Sequence, residues 1–351
     1  LGALFGLKLG LPFGSFLRER LVLGLSAFIN VEDLSLSTIK VPRRTAPTFV
    51  NYESHLERLL LNLGAGIKLH DALTIGVGIF VHPFESPNNI AGVIGPSRTF
   101  EVTGDLSLEG KFFILGGVVV NGGGISPALD GWRLGVVYRD KTSQHFALPA
   151  ALNLGFPADL DLRSQLVYTP QEVSFGLAYT WEKRLTLEAD LTWRDWSEFP
   201  SPYATVGLRS LDVLLPGVAD LVSAPYDPGY HDVWVPRFGA EYEIEDADHW
   251  RWALRGGYAF IPTPVPNQRG ETNIADSDKH YVSVGLGVTA PGWLGFTFPR
   301  PVTLEGYFSV THYEKRDTPK NVDVAASNPG FPRYRVGGRL LAIGAQLTFR
   351  F

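Results

Sequence analysis

Large apolar side chains alternate with small or polar ones through segment after segment of this chain. Val173, Phe175, Leu177, Tyr179 and Trp181 share one parity, with Ser174, Gly176, Ala178 and Thr180 on the other. After a short break at Glu182 to Arg184 the pattern resumes, with Leu185, Leu187, Ala189, Leu191 and Trp193 opposed to Thr186, Glu188, Asp190, Thr192 and Arg194. A period of two is the signature of a β-strand whose two faces meet different surroundings. The alternation recurs with Phe238, Ala240, Tyr242 and Ile244 against Arg237, Gly239, Glu241 and Glu243, and with Trp252, Leu254 and Tyr258 against Arg251, Ala253, Arg255 and Gly257. The charged residues of these segments share one face.

Periodicity alone fits a soluble sandwich as well as a membrane barrel. The connections separate the two readings. Short links at His70 to Ala72, Glu182 to Arg184 and Glu245 to His249 alternate with long ones at Asn30 to His55, Trp196 to Trp234, Ile261 to His280 and Glu314 to Gly337. Short turns on one side and long loops on the other are the habit of outer-membrane barrels. Trp181, Trp193, Trp196, Trp250, Trp252, Tyr258 and Phe260 fall near strand ends, where interfacial aromatic girdles are expected. The pattern predicts about 13 strands, each near the length of roughly 9 to 11 residues that crosses a bilayer.

Composition agrees with this reading. The chain holds 38 Gly, 13 Tyr, 22 Phe and 8 Trp in 351 residues, with charged residues at 19%. No apolar run of about 18 residues occurs, so any crossing must be by strands closed into a barrel, which satisfies every backbone hydrogen bond in lipid. The 31 basic and 36 acidic residues give a net charge of −5 and no basic block, so nucleic acid is not an expected partner. With no cysteine there is neither a disulfide staple nor a thiolate site. The eight histidines lack metal-ligand spacing. Nothing calls for a metal or another cofactor, and no motif places a nucleophile beside a base, so catalytic residues are not assigned. Gly122 to Gly124 reads as a turn or kink, because no helix follows to supply an anion site.

Three groups carry candidate roles. Leu211, Val213, Leu214, Leu215, Val218, Leu221 and Val222 make one loop too apolar for solvent, a candidate capture site for a hydrophobic small molecule. Glu188, Asp190, Arg237, Glu241, Glu243, Arg251 and Arg255 are expected to form a polar network in the barrel lumen. In the last strand, Leu341, Ile343, Ala345, Leu347, Phe349 and Phe351 share a face, and Leu347, Phe349 and Phe351 resemble the C-terminal signal read by barrel-assembly machinery. The expected architecture is all-β, a single transmembrane antiparallel β-barrel domain over residues 1–351. Even strand numbers are the rule for such barrels, so an odd count leads to the expectation that one strand precedes Leu1.

Leu191-Thr192-Trp193-Arg194-Asp195-Trp196-Ser197-Glu198-Phe199, and Tyr258-Ala259-Phe260 followed by Pro262-Thr263-Pro264-Val265-Pro266, resemble stretches of the FadL family. So does Phe238-Gly239-Ala240-Glu241-Tyr242 ahead of Leu254-Arg255-Gly256-Gly257-Tyr258, and the likeness is weakest over the loop sequence Phe84 to Thr99. The resemblance implies a barrel of about 14 strands plugged by an N-terminal hatch, with the hatch and first strand ahead of the part seen here. It also implies transport of long-chain fatty acids or other hydrophobic compounds across the bacterial outer membrane. The alternative is a barrel that serves as scaffold or anchor for other outer-membrane proteins. A lipid-modifying barrel enzyme is a third reading. Outer-membrane lipid is the surrounding partner in each case.

Overall fold

A computed structural model describes residues 2–11, 20–30, 60–94, 100–153, 157–200, 205–209, 221–222, 227, 229–245, 250–268, 274–293, 296–320 and 330–349. The strands in chain order are β1 (Gly2–Gly10), β2 (Leu21–Asn30), β3 (Leu60–His70), β4 (Leu73–Ile94), β5 (Phe100–Asn121) and β6 (Trp132–Arg139). There follow β7 (Thr142–Asn153), β8 (Pro157–Thr169), β9 (Glu172–Trp181), β10 (Leu185–Arg194), β11 (Thr205–Arg209) and β12 (Leu221–Val222). The chain ends with β13 (Val233–Glu245), β14 (Arg251–Ile261), β15 (Lys279–Trp293), β16 (Phe296–Pro319) and β17 (Arg333–Thr348).

Thirteen of these strands, β1 to β6, β9, β10 and β13 to β17, form one antiparallel wall in which each pairs with the next. That is the number the alternation predicts. Among the described residues no ladder joins β1 to β17. The other four strands stand off the wall. The hairpin β7–β8 leaves it between β6 and β9; β7 runs parallel to the far end of β4 over Ile90 to Val93, and β8 pairs with β11.

Burial settles the choice between sandwich and barrel. Leu177, Leu187, Phe238, Leu254, Val284, Leu304 and Ile343 all stand exposed on the outer face, Ile343 at 85%. In a soluble sandwich these side chains would fill a core between two sheets; so wide an apolar surface is stable only against lipid. The opposite face of the wall is lined by Thr186, Gly239, Gly257, Ser283 and Thr303 with the charges among them. Small and polar side chains here leave a lumen.

The turns between strands are tight at one end of the wall. Trp181 and Arg184 close β9–β10 with an N–H···O bond of 2.9 Å, and Glu182 and Lys183 take φ of 48° and 59°. Two residues with positive φ make the mirror-image turn whose twist matches that of the strands. Between β5 and β6, Gly122–Gly124 and Pro127–Leu129 form two short 3-10 turns packed on the β3–β4 turn. A Cβ on Gly124 would collide with the backbone of Asp71 and Ala72, so glycine is required there.

At the other end two expectations are corrected. Phe84 to Thr99 is not a loop throughout, since the β4–β5 ladder runs from Leu73↔Val120 out to Ile94↔Phe100. Twenty-two residues in each strand reach roughly 70 Å at about 3.3 Å per residue, well beyond a bilayer core. Glu314 to Gly337 is likewise part ladder, because β16 and β17 resume pairing past a bulge from Arg316↔Val336 to Pro319↔Arg333. Alternation across these strands was interrupted by Pro83, Pro87 and the bulge, which is why they read as loops.

Candidate functional site

The lumen begins, near the tight turns, with an arginine that ties three strands. Arg255 on β14 donates through Nε to Glu241 on the adjacent β13 and through Nη1 to Glu305 on β16, at 2.6 Å. Reaching β16 means crossing β15, and there Gly285 and Gly287 leave the space; a Cβ at Gly287 would sit 3.2 Å from Arg255 Nη1 and 3.5 Å from Glu305 Oε1. Glu243 and Arg251 line the same cavity of about 190 Å³, with Thr289 and Thr303. Glu305 was not among the residues expected in the lumen. Its parity with Thr303 and Ser309 on β16 was the available signal.

Higher in the lumen Glu188, Asp190 and Arg237 line a second cavity of about 390 Å³ with Ser283 and Tyr281. Arg237 lies opposite Asp190 in the ladder but donates to Thr192 Oγ1 at 2.7 Å. Thr192 is fully buried and also bonds Ser174 at 2.8 Å. Thus the structure joins Glu241 to Arg255, while Glu188, Asp190, Glu243 and Arg251 make no ion pair among the described residues. Above them Arg194 Nε lies 2.8 Å from Glu172 Oε1.

Past the ends of the strands the surroundings become apolar. Phe199 and Tyr230 stack with centroids 4.4 Å apart and planes at 10°; Tyr168 meets the edge of Phe199 at 5.1 Å, and Trp196 packs at 5.9 Å from Phe199 and 6.0 Å from Tyr230. Val265 and Ile274 complete this cluster. Four separate segments therefore meet: the end of β8, the chain after β10, the approach to β13, and the β14–β15 loop. Trp196 belongs to this crown and not to the interfacial girdle that its place near a strand end had suggested. The crown joins two of the stretches on which the family resemblance rests, since Trp196 and Phe199 come from one and Val265 from the other.

Polar anchors hold the crown in place. Asp276 accepts from Thr263 Oγ1 at 2.7 Å and pairs with buried Lys279 at 2.8 Å, while Arg316 Nη1 donates to the Val265 carbonyl at 2.9 Å and Tyr334 to the Ile274 carbonyl at 3.3 Å. Arg316 and Tyr334 point to the inner face, so the loop is drawn over the mouth of the wall. Tyr168 donates to the Asp195 carbonyl at 3.3 Å. Burial, with Asp195, Glu198 and Asp232 nearby, pushes its phenol well above the ordinary range.

Of the expected capture loop, Leu211, Val213, Leu214, Leu215 and Val218 lie outside the described residues. Leu221 and Val222 form β12 and pair with Leu208 and Gly207. Leu347 and Phe349 stand exposed on the outer face, and Phe351 lies outside the described residues.

The sequence profile of the family described as outer membrane protein transport protein (OMPP1/FadL/TodX) matches residues 129–295. The chain is 23% identical over 329 residues to alkane uptake protein A of Marinobacter nauticus, covering 90% of this chain and 68% of that one. It is 23% identical over 252 residues to the long-chain fatty acid transport protein of Salmonella typhi, covering 66% of this chain and 55% of that one. The crystal structure of a Pseudomonas aeruginosa FadL homologue superposes with a TM-score of 0.56 at 17% identity, over 98% of this chain and 76% of that one. The scaffold and enzyme readings find no support in these matches.

Proposed function

We propose that the chain is a FadL-type outer-membrane β-barrel that carries hydrophobic compounds across that membrane, with the alkyl chains of alkanes or fatty acids as the substrate class. The observation that carries this reading is the aromatic crown, a buried apolar cluster at the loop end of a wall whose lumen is lined with charge. Water fills a polar lumen readily, so an apolar solute gains from a dry surface only where the crown and its loops provide one. Concave apolar sites with a few polar anchors are the usual form of small-molecule sites. The named substrates of the two transport relatives, alkanes and long-chain fatty acids, lie in this class.

In this reading Trp196, Phe199 and Tyr230 form the floor of the entry site, and the apolar segment that contains Leu214 and Leu215 is the capture loop for the same solute. Lipid extracts of the purified chain, analysed by mass spectrometry, should be enriched in fatty acids or other apolar molecules. Phe199→Ala, and Leu214→Asp with Leu215→Asp, should each lower the bound amount and slow uptake of a labelled fatty acid and of a labelled alkane by cells that depend on this protein. Unchanged uptake by both variants would reject the entry site.

A further inference from the structure

The outer face of β17 changes character along its length. From Phe349 back to Leu341 it is apolar; then come Arg339, and past the Gly337 bulge, Arg335 and Arg333. These arginines share the outward parity with Ile343 and Leu341, because Arg339 lies opposite His312 and Arg335 opposite Asp317 in the ladder. Ten residues separate Arg339 from Phe349, or about 34 Å of strand and roughly 24 Å of depth at a 45° tilt. That depth matches an outward apolar band of about 25 Å. Arg339 therefore stands where hydrocarbon gives way to headgroups, at the side of the long loops.

The charges there do not balance. Arg335 is satisfied by both oxygens of Asp317, at 2.7 and 2.9 Å, and His280 meets Glu314 at 2.7 Å. Arg333 and Arg339 are exposed and make no ion pair among the described residues, although Arg333 lies close enough to Asp317 to act on its carboxylate. His312 adds a further donor beside Arg339. A guanidinium presents a planar fork that suits phosphate; Arg339 stands at the rim of the apolar band, and Arg333, about 20 Å of strand further out, stands where a bulky headgroup would extend.

We propose that Arg333 and Arg339, with His312, dock the phosphate groups of a phosphorylated glycolipid of the outer leaflet, whose acyl chains lie on Leu341 and Ile343 below. The site rests on the outer-membrane placement of the barrel and is separate from the transport path, being on the other side of the wall. Retention of bisphosphorylated lipid A by the full chain in detergent, followed by native mass spectrometry, tests it. The wild type and a Lys183→Gln control in the opposite turn should hold the lipid alike, and should hold the same lipid stripped of phosphate far less. Arg333→Gln with Arg339→Gln should weaken retention of the phosphorylated lipid by at least roughly tenfold, the scale of a lost charge-assisted pair. Equal binding of the two lipids by the wild type would overturn the proposal even if the double variant failed to fold. Equal retention by a folded double variant would overturn it too.

Discussion

Single residues in this wall carry roles that depend on what stands opposite them. Arg255 links β13 to β16 only because two glycines on β15 keep clear, and neither half of that arrangement is visible in β14 alone. Alternation therefore put Arg255 and Glu241 on the lumen face but could not choose their partners. Tyr168 shows the same dependence, since its neighbours Phe199 and Trp196 come from another loop. Its phenol is held above the ordinary value of about 10 by burial first and by nearby carboxylates second. The native state then keeps a proton that the unfolded chain loses, so this contribution is complete below about pH 10 and is lost as pH rises further. The crown should loosen in that alkaline range, seen as a change in tryptophan fluorescence, and Tyr168→Phe should remove that part of the pH dependence. A Tyr168→Phe variant with the wild-type alkaline profile would contradict this assignment.

Elements were legible where both faces of a strand met uniform surroundings. The β9–β10 and β13–β14 hairpins were read with their correct faces because lipid and lumen impose large and small side chains in strict turn. Strands beyond the membrane lose that contrast, which is why the outer parts of β4, β16 and β17 read as loops. Turn type was hidden for another reason: Glu182 and Lys183 adopt positive φ without the Asn-Gly that advertises such a turn. Each pays the steric cost of a side chain in that region. Glu182→Asn with Lys183→Gly should raise stability by about 1 kcal/mol, measured as a shift of the denaturant midpoint in lipid vesicles. No shift, or a loss, would mean that the turn is held by contacts of those two side chains.

At the scale of the molecule, the wall sorts its residues between two solvents. The number of wall strands and the outward belt could be read from the chain, since both follow from the repeated period. The crown could not, because it is made by segments far apart in sequence that carry no period. Ile343 lies midway between Arg339 and Phe349, near the middle of the apolar band. Ile343→Arg should therefore destabilise the folded barrel in vesicles by about 2 to 4 kcal/mol, while Arg339→Ile, at the rim, should change it far less. Equal effects from the two would displace the belt from the depth assigned to it.

The tie from Arg255 to Glu305 has a mechanical consequence. A hairpin pulled from a barrel peels one rung at a time, each rung yielding under a small load. Here β16 is fastened to β14 across the strand between them, so tension applied along β16 is shared by three strands before the fastening opens. Force should rise there and then drop in a single step, as the lumen gives up its brace and the remaining rungs separate in succession.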